Sequence, residues 1–359
     1  MQLQEVLPFT YIFYVPPPQR LSLLIVLSVW LWYYILRFFE RYHIDVLHLV
    51  QLRHSDTVTS MHTDSQLHIS TRRLAVALTK TFIPCHILSI LIFALFENQD
   101  LSTPESIFFH SWPIIELALL LRIILKLSPT TVHYLKKLPL IEPTPRAVRN
   151  GYILIADSLV SLTAPLLDFA IFVLSSFKNP FLRHLDLPLS LTPVFVRIFQ
   201  CSREYTISHD PTMPFNIIKY SLSIPTQAYT WYSKVRPNGD LPRNFHLARI
   251  CLLLLNSSYT LFWDIRMDWN ITSYSHNNIR GSKPQFPEVM YRVAIVSDFI
   301  LRFWWLWITI SAVGGFTSSR GFIFFPDESQ YLEILRRALW VVFRLESELP
   351  NMPLGKQMA

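Results

Sequence analysis

The sequence predicts an all-α integral membrane protein, a polytopic helical bundle of about eight to ten transmembrane helices. Of its 359 residues, 51% are hydrophobic and only 16% are charged, whereas soluble domains carry about a quarter charged residues. Long apolar runs recur along the chain, and Trp, Tyr and Phe are abundant, as is typical of helices that end at lipid–water interfaces. A membrane bundle therefore explains the composition better than one or two soluble domains do.

Nine spans are predicted, because a bilayer core needs roughly 20 apolar residues per helix. They cover residues 21–39, 74–96, 107–127, 151–176, 187–201, 215–232, 247–265, 293–314 and 331–345, of which the last is amphipathic. The chain then has four parts: a short N-terminal segment (1–20), peripheral helices (21–150), a core bundle (151–349) and a tail (350–359).

The connecting segments give further expectations. Residues 1–20 contain Glu5 and three consecutive prolines, so we expect no cleavable signal peptide. The polar loop 40–73 is the best candidate for local disorder. Basic residues in 128–150 and near the C-terminus favour the cytosol, although the basic loop 234–243 would then lie on the lumenal side. Asn270 follows the segment 264–268, which we place near the cytosolic side, so we expect the sequon Asn270-Ile271-Thr272 to carry no glycan.

Several function classes lack their motifs. The chain has no GxGxxG, Walker A, HExxH or GxSxG pattern, so we expect neither an enzyme nor a bound cofactor or metal. The excess of basic residues is modest and gives no reason to expect nucleic-acid binding. Cys85, Cys201 and Cys251 have no paired spacing and lie in apolar stretches, so we expect them to be buried and unpaired.

The most informative feature is a set of charged residues inside the predicted spans, where each costs about 2.5–3.5 kcal/mol on insertion scales. Residues three or four apart share a helix face, which gives three sets: Asp264 with Asp268, Asp298 with Arg302 and Trp305, and Glu333 with Arg336 and Arg337. Asp157, Arg197 and Lys219 lie in other spans. These charges either pair to hold the bundle together or converge on a small anion, for which Arg offers bidentate donors.

At these residues the chain resembles the EXS-domain family, over about residues 21–349. The family includes phosphate exporters of the xenotropic and polytropic retrovirus receptor type and a short fungal Golgi branch named for defective retention of endoplasmic-reticulum proteins. The resemblance is carried by the segments 263–269, 301–305, 333–337 and 343–346, and more weakly by 156–159, 197–201 and 219–221.

The resemblance implies an EXS-type core in residues 151–349 and a phosphate pathway. The residues that it assigns to phosphate binding or to the pathway are Asp157, Arg197, Lys219, Asp264, Asp268, Arg302, Glu333, Arg336 and Arg337, with Trp305 as a gate. Two departures stand out. Val160 replaces a polar Asn of the exporters, and only about 20 residues precede the first span, so the regulatory SPX domain of the plasma-membrane exporters is not expected.

The leading hypothesis is a Golgi inorganic phosphate transporter or channel that returns lumenal phosphate from glycosylation to the cytosol. It would thereby support glycosylation and the retention of lumenal endoplasmic-reticulum proteins. The alternative is a non-transporting sorting factor that recycles Golgi glycosyltransferases through a coat adaptor. The expected partners are inorganic phosphate and membrane lipids, with glycosyltransferases and a coat adaptor in the alternative. The oligomeric state stays open, and a homodimer is one option.

Overall fold

The computed structural model describes residues 15–44, 46–50, 64–96, 103–137, 146–175, 185–235, 243–275, 278–280, 285–313 and 328–349. The α-helices within these ranges are α1 (Pro17–Arg41), α2 (Val46–Val50), α3 (Asp64–Phe96), α4 (Thr103–Leu127), α5 (Pro129–Lys137), α6 (Arg146–Ser161), α7 (Thr163–Ser175), α8 (Asp186–Ser208), α9 (Met213–Ser221), α10 (Ser223–Val235), α11 (Arg243–Trp263), α12 (Glu288–Arg302), α13 (Trp304–Val313) and α14 (Glu328–Glu348). The predicted helical fold is confirmed.

Four of the described helices are long and apolar enough to cross a membrane, and two bent pairs would raise this number to six. The four run over Pro18–Arg41, Leu67–Ile92, Phe108–Leu127 and Asn244–Asp268, and the pairs are α6 with α7 and α12 with α13. The predicted spans 187–201, 215–232 and 331–345 are also helical, as α8, α9 with α10, and α14. Of these helices, α8 and α9 carry charged residues discussed below, Arg197 and Lys219.

Three of the predicted spans are broken rather than straight. The axis bends by 53° between α6 and α7 and by 46° between α12 and α13, and a third break separates α9 from α10 at Leu222. Pro165 and Pro225 lie in the first turn of α7 and α10, where proline is tolerated but cannot donate to the preceding helix. The break after Arg302 has no proline and interrupts the face that it was predicted to share with Trp305.

The predicted loop 40–73 is partly helical. It contains α2, and the first ten residues of α3, which are mostly polar, extend that helix by nearly three turns before the predicted apolar span begins. Residues 51–63 lie outside the described part. A short antiparallel hairpin, β1 (Ile271–Ser275) paired with β2 (Asn278–Arg280), is a local exception to the helical fold.

The cysteine prediction is confirmed except for the burial of Cys251. All three are free, and Cys85 and Cys201 are buried, but Cys251 is exposed. It lies on α11, whose apolar stretch is mostly on the outside of the bundle, and an apolar sequence does not tell a core-facing residue from one that faces lipid.

The two largest of the apolar clusters among the described residues organise much of the packing. The first joins α1, α3 and α4 through Val26, Leu78 and Leu120. The second is larger and is built around Trp269 and Trp340, with contributions from α1, α2, α6, α12 and α14. The outer face of α3 presents Ile83, Ile87, Leu91 and Leu95 at four-residue spacing, as expected of a helix that faces lipid.

Candidate functional site

Charged side chains from α6, α8, α9, α12, α14 and the turn after α11 meet inside the bundle. We call this group the charge cluster. It contains five acids and five bases: Asp157, Asp264, Asp268, Asp298, Glu333, Arg197, Lys219, Arg302, Arg336 and Arg337. The structure therefore brings together the nine charged residues that the family resemblance assigned to one pathway, and it adds Asp298.

Asp157 forms one part of the charge cluster. Its carboxylate lies 2.9 Å from Arg197 Nε and accepts a hydrogen bond from the Tyr220 hydroxyl at 2.8 Å. Arg197 also donates to that hydroxyl and, at 2.7 Å, to Gln200 Oε1. Asp157 and Arg197 are 2% and 4% exposed, so this ion pair links α6, α8 and α9 away from solvent and lipid.

The centre is formed by two acids that share two arginines. Arg336 Nη1 lies 3.3 Å from both Asp264 and Asp298. Arg302 contacts the same two acids, closely at Asp264 and at 3.4 Å from Asp298. Asp298 is fully buried and lies one turn before Arg302 on α12, as the four-residue spacing predicted.

A π-helical turn, Asp264–Asp268, follows α11 and presents its two acids to Lys219. The turn closes when the Trp269 amide donates to the Asp264 carbonyl five residues earlier, a geometry that is frequent at functional sites. Lys219 Nζ lies 3.9 Å from Asp264 and 3.4 Å from Asp268. Both acids thus face one base, as their spacing predicted, although the helix there is not an α-helix.

Aromatic rings surround the bases. Lys219 Nζ lies over the rings of Tyr220 and Trp263, at 5.2 and 5.4 Å from their centroids. Arg337 stacks on Trp340 at 4.8 Å, and Trp340 Nε1 donates to Asp268 at 3.1 Å. Cation–π contacts add to the stabilisation of charges that burial has removed from water.

Glu333 is the most accessible acid of the charge cluster, with a side chain 34% exposed. Glu333 pairs with Arg336 at 2.7 Å and lies 3.8 Å from Arg337. Ser161 donates to Glu333 at 2.8 Å and accepts from Arg337 Nε at 2.8 Å. Ser161 therefore supplies a polar contact to this site one residue after Val160, where the sequence had indicated a missing contact.

Trp305 lies apart from these contacts. Its indole Nε1 donates to Ser257 on α11 at 3.0 Å, so it joins α13 to α11 just beyond the break that follows Arg302. The role of Trp305 as a gate stays a prediction.

The balance of charge decides what the cluster can do. Its five bases and five acids cancel, and each base lies within 4 Å of at least one acid. An anion can bind only if a base turns away from its acid or if the anion brings a proton that a carboxylate can accept in a hydrogen bond. Among the described residues, no group of three or more His, Cys, Asp or Glu is arranged to hold a metal ion.

Sequence reasoning missed three residues of the site. Tyr220 follows Lys219 in a segment already singled out, and Ser161 follows Val160; neither carries a charge that would mark it. Asp298 shared a predicted face with Arg302 but was not assigned to the pathway. In each case the missing information was the partner across the bundle.

Comparison with known proteins agrees with the resemblance. The model of the EXS family matches residues 15–349. "Protein ERD1" of Saccharomyces cerevisiae is 38% identical over 93% of this chain and 93% of its own, and "Protein ERD1" of Kluyveromyces lactis is 28% identical over 97% of each. "Solute carrier family 53 member 1" of Mus musculus is 33% identical over 44% of this chain and 24% of its own. The chain belongs to the EXS family.

Proposed function

We propose that this EXS-family membrane protein moves inorganic phosphate across the Golgi membrane through the charge cluster. The observation that carries the proposal is the convergence of four arginines and one lysine, from α8, α9, α12 and α14, in one buried group. Arginine presents planar donors that match phosphate oxygens, and lysine adds a compact charge. Similarity to a solute carrier over part of the chain supports a transport role.

Arg302 is well placed to engage phosphate. Its two acids, Asp264 and Asp298, are also contacted by Arg336, so they keep a positive partner when Arg302 turns to an anion. Its side chain is 12% exposed, against 5% for Arg336. The carboxylates that it leaves can accept a hydrogen bond from a protonated phosphate, which keeps the local charge close to balance.

Flux of radiolabelled phosphate into liposomes tests the proposal. We expect the wild type to exceed protein-free vesicles and Arg302→Ala to fall to their level. Arg292→Ala is the matched control, since Arg292 lies on the same helix but is exposed and pairs with Glu288 on its own face. The proposal of phosphate transport through the charge cluster is wrong if the wild type gives no flux above empty vesicles, or if Arg302→Ala leaves the flux unchanged.

Within this proposal Trp305 gates the pathway. It lies three residues after Arg302, beyond a 46° bend, and its indole is fixed to Ser257. Loss of that hydrogen bond in Ser257→Ala should free the ring and raise phosphate flux, while Arg302→Ala should abolish flux in either background.

The physiological role follows from the same proposal. Phosphate released in the lumen by glycosylation would return to the cytosol, which would support glycosylation and retention of lumenal endoplasmic-reticulum proteins. The similarity to the two ERD1 proteins supports a place in the secretory pathway. Organelle fractionation with a tagged chain tests the location.

The sorting factor remains the second candidate, because a cluster whose charges cancel would also serve to hold helices together. Two variants, Arg302→Ala and a deletion of residues 350–359, distinguish transport from sorting. If Arg302→Ala leaves glycosyltransferase recycling intact in cells while deletion of residues 350–359 abolishes it, sorting is favoured. If Arg302→Ala impairs recycling to the extent that it impairs flux, and the deletion does not, transport is favoured.

A further inference from the structure

Glu116 is a buried acid of α4 that lies outside the charge cluster, where α4 packs against α1 and α3. It is fully buried and lies near the middle of the apolar stretch Phe108–Leu127. At a rise of about 1.5 Å per residue, it is roughly 12 Å from one end of that stretch and 16 Å from the other. An acid at that depth is a functional-site hypothesis by default.

The carboxyl of Glu116 has no basic partner among the described residues. Its contacts are neutral: the Ser89 hydroxyl on α3 lies 3.1 Å from Oε2, and Ser22 on α1 faces the same carboxyl. Oε1 is buried without a hydrogen-bond donor in the described structure. One turn before Ser22, Gln19 is 1% exposed and its amide has no hydrogen-bond partner there.

The other titratable groups of the surrounding helices do not supply a charge to it. On α3, Cys85 lies beside Glu116 and is neutral as a thiol, and His86 stacks on Phe82 at 5.1 Å. On α1, Arg20 is directed to Asp168 of α7, at 3.9 Å, and to a backbone carbonyl. On α4, His110 stacks on Phe172 of α7, and Arg122 and Lys126 are exposed, as is Lys80 on α3.

Hydrogen-bond counting indicates the protonation state of Glu116. The Ser89 hydroxyl has one hydrogen to donate and two lone pairs to accept with. It accepts from Trp112 Nε1 at 2.9 Å and lies 2.9 Å from the Cys85 carbonyl, which can only accept. If the Ser89 hydrogen goes to that carbonyl, Glu116 must donate to Ser89, and it can do so only as a neutral acid. An ionised Glu116 requires the Ser89 hydrogen to turn from Cys85 to the carboxylate.

Both helices that carry this contact contain a proline beside it. Pro84 precedes Cys85 in α3, and Pro113 follows Trp112 in α4. Each proline removes one intrahelical hydrogen bond and favours a kink at that level. Each helix therefore lacks one backbone hydrogen bond close to Glu116. A locally weakened backbone suits a site whose hydrogen bonds rearrange.

We propose that Glu116 is a proton-binding site within the membrane, formed by α1, α3 and α4. In the protonated state its O–H bond donates to Ser89. On release the proton passes to water, the electron pair of that bond stays on the carboxylate, and the Ser89 hydrogen turns to it. The ligand is a proton rather than a metal ion, because one carboxylate with neutral hydroxyls lacks the several oxygen ligands that a hard cation takes.

Infrared difference spectroscopy of the protein in lipid bilayers tests this directly, since a protonated carboxyl has a C=O band separate from carboxylate bands. We expect such a band from Glu116 near neutral pH in the wild type, its loss in Glu116→Gln and its retention in Glu288→Gln, whose carboxyl is exposed. Ser89→Ala should shift the band without removing it, because the hydrogen bond is lost but the acid remains.

Three results would overturn the proposal. The first is a spectrum in which Glu116→Gln removes no protonated-carboxyl band at any pH. The second is a Glu116 band that does not convert to a carboxylate band as pH is raised, since the site must release its proton. The third is a band that disappears when Na⁺ replaces K⁺ at constant pH, which would assign a metal cation. None of these infrared measurements requires phosphate transport. The proton-site proposal can therefore fail while the transport proposal holds, and the reverse is also true.

Discussion

The charge cluster and the Glu116 site show two ways to keep an acid inside a membrane bundle. In the cluster, Asp157 and Asp264 are 2% and 3% exposed and each has basic partners within 4 Å. Glu116 is as deeply buried, but its contacts in the described structure are neutral. Burial of an ionised carboxylate is costly without a counter-charge, so the first region stays charged through pairing and the second is stable as the neutral acid.

The largest expected effect of any single change is in the cluster. Arg197→Met removes the closest base of Asp157 and leaves a carboxylate that is 2% exposed with Arg337 at 3.9 Å. Breaking one partner of a buried ion pair costs about 3–5 kcal/mol. Unfolding of the purified protein by titration with sodium dodecyl sulfate, compared with the wild type, measures the loss.

The double variant Arg197→Met with Asp157→Asn is the control for that prediction. Removal of both charges should recover more than half of the lost free energy of unfolding, because replacing a whole buried pair is often close to neutral. If the double variant is as unstable as the sum of the two single changes, the pair is not the source of the cost.

A smaller effect is expected where a neutral side chain connects two charged ones. Ser161→Ala removes the hydrogen bonds to Glu333 and Arg337 that join α6 to α14, and hydrogen bonds to charged groups contribute about 1.5–3 kcal/mol each before relaxation. Since both partners retain other contacts, we expect a loss of about 1–3 kcal/mol in the same titration.

Ser158→Ala is the matched control for Ser161. Ser158 lies on the same helix and donates only to the Leu154 carbonyl of its own turn in the described structure, so its loss should cost about 0.5 kcal/mol or less. Equal effects of the two substitutions would mean that helix propensity, and not the link to α14, sets the cost at Ser161.

Charged residues that share a face of one helix could be predicted from spacing. Four-residue steps placed Asp298 with Arg302 and Glu333 with Arg337, and the ion pairs at 3.4 and 3.8 Å confirm both. Local spacing works here because a helix fixes which residues of one span share a face.

Contacts between different helices could not be predicted from residue spacing. The pairing of Asp157 with Arg197, the insertion of Tyr220 between them and the link from Ser161 to α14 depend on how helices pack. The bend after Arg302 is also absent from the sequence pattern, because no proline marks it. It is what separates Trp305 from the face that it was predicted to share.

The peripheral helices should respond more weakly than the charge cluster. Trp112→Phe keeps an aromatic ring but removes the donor to Ser89 Oγ. A neutral hydrogen bond contributes about 1 kcal/mol, so a loss near that value is expected. Trp307→Phe on α13 serves as the control, because its side chain is on the outer surface, 50% exposed. If Trp112→Phe lowers the free energy of unfolding by more than about 3 kcal/mol, the Trp112 donor stabilises an ionised Glu116 through Ser89, and the neutral-acid interpretation is wrong.

The smallest effect is expected for Glu116→Gln, and it gives the sharpest test of the comparison, because Asp298→Asn makes the same acid-to-amide change in the cluster. Gln retains a donor and an acceptor where the neutral acid had them, so the free energy of unfolding should change by about 0.5 kcal/mol or less. Asp298→Asn removes a negative charge that contacts both Arg302 and Arg336, and it should lower the free energy of unfolding by about 3 kcal/mol. Titrations of the two variants under one set of conditions check the contrast. If they lose equal stability, Glu116 is ionised and paired, and the two regions keep their acids in the membrane by the same means.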